Sequence, residues 1–294
     1  MEGARPTYSE GMAPTPDPRR VAAFTGAAVG TVVALGAAAV GVLGAQALRT
    51  RRIVGPLRSV APYADGRYGP RSGTSYRLVV LGDSSAAGLG VSDPGQTVGA
   101  LLATGLANLT NRGVVLATMA VVGAESRHLA AQVERALVLR PHVVVIMIGA
   151  NDVTHLRGRR EPVRELVAQI VRLRAEGVEV VVGTCPDLGT VTPMAQPLRG
   201  AARRLSRSLA EAQGKAAAAA GARVVPLAAL LGREFGLHPD HFFSADRFHP
   251  SGHGYAAAAA AILPSVLLAV DKPELLAQLM IDEGDDESGQ LQLR

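Results

Sequence analysis

Four short segments concentrate the side chains able to do chemistry. They are Gly82-Asp83-Ser84-Ser85-Ala86-Ala87-Gly88, Gly123-Ala124, Gly149-Ala150-Asn151-Asp152 and Asp246-Arg247-Phe248-His249-Pro250. A serine hydroxyl is unreactive at neutral pH unless a base stands beside it. His249 suits that role, because an ordinary imidazole exchanges its proton near neutrality. Asp246 lies three residues earlier and can accept a hydrogen bond from the second ring nitrogen, fixing the tautomer. Attack on an ester carbonyl makes an oxyanion, which needs donors already in place. The backbone N–H groups of Ser84 and Gly123 and the side-chain amide of Asn151 are the candidates. A glycine at 123 also leaves room for close approach. Asp83 and Asp152 read as structural carboxylates that bond loop backbone.

The elements around these segments must bring them together. Arg77–Leu81, Val114–Val122, His142–Ile148, Val178–Gly183 and Ala222–Pro226 are β-branched or aliphatic runs that predict strands. The continuous apolar run 142–148 is the pattern of a parallel strand buried on both faces. Thr97–Leu109, Arg127–Leu139, Glu161–Glu176, Pro197–Ala220 and Ser251–Val270 predict helices. Pro162 suits an early helical position, and Ser251 suits a cap. Regular β-α alternation predicts an α/β fold: a five-stranded parallel sheet between two layers of helix, with ligands bound at the carboxyl ends of the strands. Three of the four segments follow a predicted strand, and the fourth precedes the last helix.

In this order and placement, the segments resemble those of the SGNH hydrolases, also called GDSL-type esterases and lipases. Ser84 in Gly82-Asp83-Ser84, Gly123, Asn151 in Gly149-Ala150-Asn151-Asp152, and His249 in Asp246-Arg247-Phe248-His249 match the four family blocks. The resemblance covers about residues 77–270. It implies a flavodoxin-like three-layer sandwich, a Ser84-His249-Asp246 triad, and an oxyanion hole of Ser84, Gly123 and Asn151. It also implies a small acyl-ester substrate and neither metal nor other cofactor. Ser85 departs from the literal motif, which has Leu there. The Gly-x-Ser-x-Gly turn of the α/β-hydrolases is absent. The chain is most similar to single-span actinobacterial members, whose catalytic domain is usually exported.

Other chemistry competes for the same stretch. His238, Asp240, His241, Asp246, His249 and His253 form a metal-like cluster in sequence, yet no His-Glu-x-x-His helix is present. Phe235, Phe242, Phe243, Phe248 and Tyr255 fall close to His249. They predict either packing of an irregular loop or an apolar wall for an acyl chain, with Phe243 and Phe248 the pocket candidates. The loop 187–198 is a candidate for the opposite wall. Cys185 reads as a small packed apolar group. An acyltransferase would share the acyl-enzyme chemistry, as would an O-acetylesterase acting on cell-envelope glycans. A tethered, non-catalytic binding module is the alternative outside enzymes.

Composition limits the partners. The 294 residues are 48% hydrophobic but only 3% aromatic, so the chain is not disordered throughout. One cysteine excludes an intrachain disulfide. The net charge of +5 is not a basic face: seven Arg against one Asp lie in 49–77, while 271–294 carry seven acids against two bases. No nucleic-acid partner is therefore expected. Residues 1–20 read as a disordered, proline-bearing tail, and 271–294 as an acidic tail. Residues 21–48 lack any charge and, as a helix of about 42 Å, are long enough to cross a hydrocarbon layer of about 30 Å. They predict a single-pass transmembrane helix, followed by an Arg/Pro/Gly-rich linker over 49–76. Ala45-Gln46-Ala47 keeps open export with signal cleavage. The flanking Arg count points to a cytoplasmic domain, whereas the resemblance points outward.

Overall fold

The computed structural model describes residues 41–50, 52 and 60–270. The chain divides after Gln46 into two units, and of the first, only helical residues 41–46 are described. The second unit carries the sheet. Its strands are β1 (Gly66–Tyr68), β2 (Ser75–Gly82), β3 (Gly113–Thr118), β4 (Val143–Met147), β5 (Glu179–Gly183) and β6 (Arg223–Val225). They lie in the order β1-β3-β2-β4-β5-β6. All neighbouring pairs are parallel except β1 with β3. The five parallel strands follow the flavodoxin-like order, which reverses direction between β2 and β4.

The sheet thus has six strands and is mixed, where a five-stranded parallel sheet was expected. The extra strand falls within 49–76, the stretch read as linker. Gly66-Arg67-Tyr68 is too short to carry an alternating pattern, and only its antiparallel pairing with Val114–Leu116 makes it a strand. β3 ends at Thr118 rather than at Val122. Beyond it, Met119 and Val121 still donate to the carbonyls of Val80 and Gly82, so the chain follows β2 without regular strand geometry.

Alternation along the strands builds two cores. Leu78 and Val80 of β2, with Val143 and Val145 of β4, face the helices α2 (Val98–Thr110) and α9 (Gly252–Val270). Val79, Leu81, Val144 and Ile146 face α3 (Leu129–Val138) and α5 (Arg160–Ala175). Because both faces are covered, every residue of β4 and β5 is buried. The remaining helices are α1 (Ser84–Ala87), α4 (Ala150–Thr154), α6 (Leu198–Ala219), α7 (Leu227–Leu237) and α8 (Pro239–Phe242).

Among the described residues, α9 alone is long and apolar enough to cross a membrane. In this fold it is the closing helix, and its Tyr255, Ile262 and Val266 are in the core. The predicted span 21–48 lies outside the described residues except for its last eight, which are helical. The tails 1–20 and 271–294 lie outside them altogether.

Candidate active site

β2 delivers Ser84. Its last residue, Gly82, has φ +139°, and a Cβ there would lie 1.8 Å from the Met147 carbonyl oxygen on β4. Only glycine allows the two strand ends to meet so closely. Asp83 then caps α1, accepting from the Ser85 N–H at 3.0 Å and from its hydroxyl at 2.8 Å. The position where the literal family motif has Leu therefore closes the turn through its hydroxyl. Ser84 occupies the first helical position and is mostly buried.

The fourth segment meets it from the other side. Ser84 Oγ lies 3.1 Å from His249 Nε2, and His249 Nδ1 lies 2.6 Å from Asp246 Oδ2. Asp246 Oδ1 accepts from the Ser244 hydroxyl (2.9 Å) and from the N–H groups of Phe248 (2.8 Å) and His249 (2.9 Å). One carboxylate oxygen holds the loop while the other holds the imidazole. A bridge between Phe243 and Pro250 closes the loop at its base. Burial alone would raise the Asp246 carboxyl. The hydrogen bonds from the His249 ring and from the two N–H groups outweigh it and hold the carboxyl below the usual carboxylate range. With Nδ1–H committed to this carboxylate, Nε2 presents its lone pair toward Ser84.

The second and third segments are tied to each other. The Asn151 side-chain amide donates to the Ala124 carbonyl at 2.9 Å, leaving its other N–H uncommitted by that bond. Asp152 accepts from the Ser126 N–H and, at 2.8 Å, from its hydroxyl. Glu125, almost fully buried, gathers Arg127, His155 and Arg157. The bond from Arg157 comes first in holding the Glu125 carboxyl below its ordinary value, against burial. Burial dominates at Asp83 and Asp152 and raises both carboxyls, although hydrogen bonds from Ser85 and Ser126 oppose it. Both aspartates bond loop groups, as expected. Gly123 is exposed with φ +81°, and a Cβ on it would meet no heavy atom within 4 Å. What glycine supplies there is the left-handed backbone, not steric clearance from the protein.

An apolar cavity of about 100 Å³ borders Ser84 and His249. Phe243 and Phe248 line it, as does Phe235, whose ring meets Phe243 edge-on at 5.3 Å. The 187–198 loop contributes Leu188 and Val191. Pro193, Met194 and Pro197 do not reach the cavity, and Met194 packs behind its wall, in the core cluster that also holds Leu188, Val191 and Phe243. The wall that sequence reasoning missed is α7, through Leu227 and Leu231. Its signal was the i, i+4, i+8 spacing of Leu227, Leu231 and Phe235, obscured by Gly232 and Gly236.

The metal-like cluster does not converge. His241 and His253 stack on each other at 4.1 Å, while Asp246 and His249 face Ser84. Among the described residues, no three His, Cys, Asp or Glu side chains are grouped to hold an ion. Cys185 is buried in an apolar cluster, and burial pushes its thiol well up.

Comparison with known proteins fits this arrangement. Residues 80–257 match the GDSL-like Lipase/Acylhydrolase family. The chain is 40% identical over 248 residues to the GDSL-like esterase Rv1075c of Mycobacterium tuberculosis, covering 79% of each chain. The crystal structure of TesA aligns with a TM-score of 0.51 and 26% identity, over 66% of this chain and 98% of that one. A G-D-S-L family protein from Veillonella parvula aligns with a TM-score of 0.52 at 20% identity, over 64% and 97%, a likeness of fold. The matched residues take in all four segments, and with the likeness to a named esterase they make this chain a member of the GDSL-like lipase/acylhydrolase family and a carboxylic ester hydrolase.

Proposed function

We propose that the chain is a serine esterase working through a Ser84-His249-Asp246 triad and an acyl-enzyme. The observation that carries this reading is the continuous hydrogen-bonded chain from Ser84 Oγ through His249 to Asp246, at 3.1 and 2.6 Å. His249 Nε2 takes the Ser84 proton as Oγ attacks the ester carbonyl, and the imidazolium is held by Asp246. The negative oxygen is met by the N–H groups of Ser84 and Gly123 and by the free N–H of Asn151. His249 then protonates the leaving alcohol. Water, deprotonated in turn by His249, releases the acid and restores Ser84.

The acyl chain lies in the apolar cavity beside Ser84. An engineered apolar cavity of about 150 Å³ accepts benzene, so about 100 Å³ suits roughly four carbons. Hydrolysis of p-nitrophenyl acetate and butyrate is expected to outpace that of the octanoate. Leu231→Ala, which lengthens the cavity, is expected to move the optimum to longer chains. Turnover of these substrates by Ser84→Ala at the wild-type rate would overturn the serine mechanism.

The uncharged run 21–48 supports a retained single-pass anchor, with the family resemblance favouring an extracytoplasmic domain. Added protease is then expected to digest the domain in intact cells. A domain degraded only after lysis contradicts that orientation, and recovery of a soluble chain lacking residues 21–48 contradicts the anchor.

A further inference from the structure

Two turns of this site are built alike. β2 ends in Gly82 with φ +139°, then enters the four-residue helix that starts with Ser84. β4 is followed by Gly149 with φ +133°, then by the five-residue helix that carries Asn151. A strand that stops at such a glycine leaves backbone groups without ladder partners, and in a buried position these need other partners.

In both turns the partner is one buried glutamine. Gln132 of α3 accepts from the Gly82 N–H at 2.8 Å and donates to the Gly82 carbonyl at 2.9 Å. Gln213 of α6 accepts from the Cys185 N–H at 2.8 Å and donates to the Ile148 carbonyl at 3.1 Å, just before Gly149. They are 1% and 0% exposed. A primary amide can satisfy an N–H and a carbonyl at once in a single orientation, which neither an apolar nor an acceptor-only side chain can do. Burying a polar side chain is costly unless it is fully bonded, and both of these are bonded at oxygen and at nitrogen.

We infer that Gln132 and Gln213 are positioning residues for the reaction, fixing the peptide planes that aim Ser84 and Asn151. This rests on the roles proposed above for those two residues. Gln132 acts two residues before the nucleophile. The Gly82 carbonyl it holds also accepts from Val121 N–H at 3.1 Å, so the clamp extends to the loop bearing Gly123. Gln213 acts three residues before Asn151 and ties β4 to the end of β5. Neither glutamine lines the cavity at Ser84, so neither is placed to touch substrate.

The test is kcat and KM for p-nitrophenyl butyrate in full-length Gln132→Met and Gln213→Met. The kcat is normalised to sites titrated to completion with a fluorophosphonate, so that unfolded chains are not counted. Met matches glutamine in length and offers neither bond. The expected result is a kcat about 10–100-fold lower per titrated site, the scale of a small misplacement of reacting groups, with KM within about twofold. Gln213→Met is further expected to cost little in an Asn151→Ala background, since a residue acting through Asn151 has nothing left to position. If a Met variant does not fold, Gln132→Asn and Gln213→Asn keep the amide but draw it back by one methylene, and the same kcat loss is expected. An unchanged kcat per titrated site, or a change confined to KM or to melting temperature, overturns the inference. So does full additivity of Gln213→Met with Asn151→Ala. Ser84→Ala run beside them separates the two levels: if it stays active, the serine reading itself has failed.

Discussion

The two halves of the proposed triad are held by different means. Ser84 sits at the end of a strand paired on both sides, and its turn is fixed by groups distant in sequence: Met147 from β4, Val121 from the loop leading into the second segment and Gln132 from α3. Asp246 and His249 sit in a loop that largely holds itself, with Asp246 Oδ1 taking three donors from residues 244–249. Ser84, the proposed nucleophile, is placed by the whole sheet, whereas His249 and Asp246 are a local unit laid against it. The loop places a double demand on one side chain: Asp246 is both its staple and the charge behind the imidazole. On the sheet side, Gln132 holds the turn and Ser84 carries the proposed chemistry.

Substitution at Asp246 probes that double demand most strongly. Asp246→Asn keeps an oxygen for the three loop donors but removes the charge. Its kcat is expected to fall about 10⁴-fold, with a melting temperature below wild type at both pH 7 and pH 3, the two proteins converging only as pH falls through the folded Asp246 value. Asp246→Ala is expected to lose as much activity and also the loop, lowering the melting temperature further. Equal melting of the two variants would show that the loop does not depend on its staple.

On the sheet side, Asn151→Ala removes one of the proposed oxyanion donors. It is expected to lower kcat about 10²–10³-fold while KM changes little, and steady-state kinetics on short acyl esters measures both. A loss confined to KM would make Asn151 a binding residue instead.

The two sides should also differ in how pH affects stability. The folded Asp246 carboxyl is depressed, so its stabilisation is present above the unfolded value of about 4 and is lost as pH falls through the folded value. The Asp83 carboxyl is raised, so its contribution is present below about 4 and is lost as pH rises through the folded value. Asp83→Asn, which keeps the acceptor for Ser85, is expected to raise the melting temperature at pH 7 but not at pH 3. A stability gain that does not depend on pH would contradict the cause assigned to the Asp83 shift.

The smallest effect expected is at Thr184, just after β5. Its buried hydroxyl has no hydrogen-bond partner among the described residues. Thr184→Val removes an unpaired polar group at nearly constant volume and is expected to raise the melting temperature by about 2–4 °C. A fall would mean that the hydroxyl is satisfied in solution.

The contrast between the two sides also explains what could be read from sequence. Ser84, Asn151, Asp246 and His249 were legible because their types and order carry chemistry, and because Val143–Met147 and Val79–Leu81 are plain strand signals. β1 was not legible, since Gly66-Arg67-Tyr68 becomes a strand only against β3. The glutamine clamps left a weaker trace. Gln132 interrupts the apolar stripe Leu129, Val133, Ala136 of α3, and Gln213 falls between Leu209 and Ala217 on the buried face of α6. A polar residue on an apolar face is a signal, but its partner is backbone elsewhere in the chain and leaves no pattern in the sequence. The expected parallel sheet missed β1 for the same reason that the site's supports were missed: both depend on contacts made after the chain has folded.

The proposed mechanism turns on a covalent acyl-enzyme at Ser84. Its most direct test is the intact mass and peptide map of the protein after reaction with an alkyl fluorophosphonate, with residual esterase activity followed in parallel. One adduct per chain is expected, located on Ser84, formed in step with the loss of activity and absent from Ser84→Ala. Full esterase activity in protein completely modified at Ser84, or inactivation with the adduct on another residue, would contradict it.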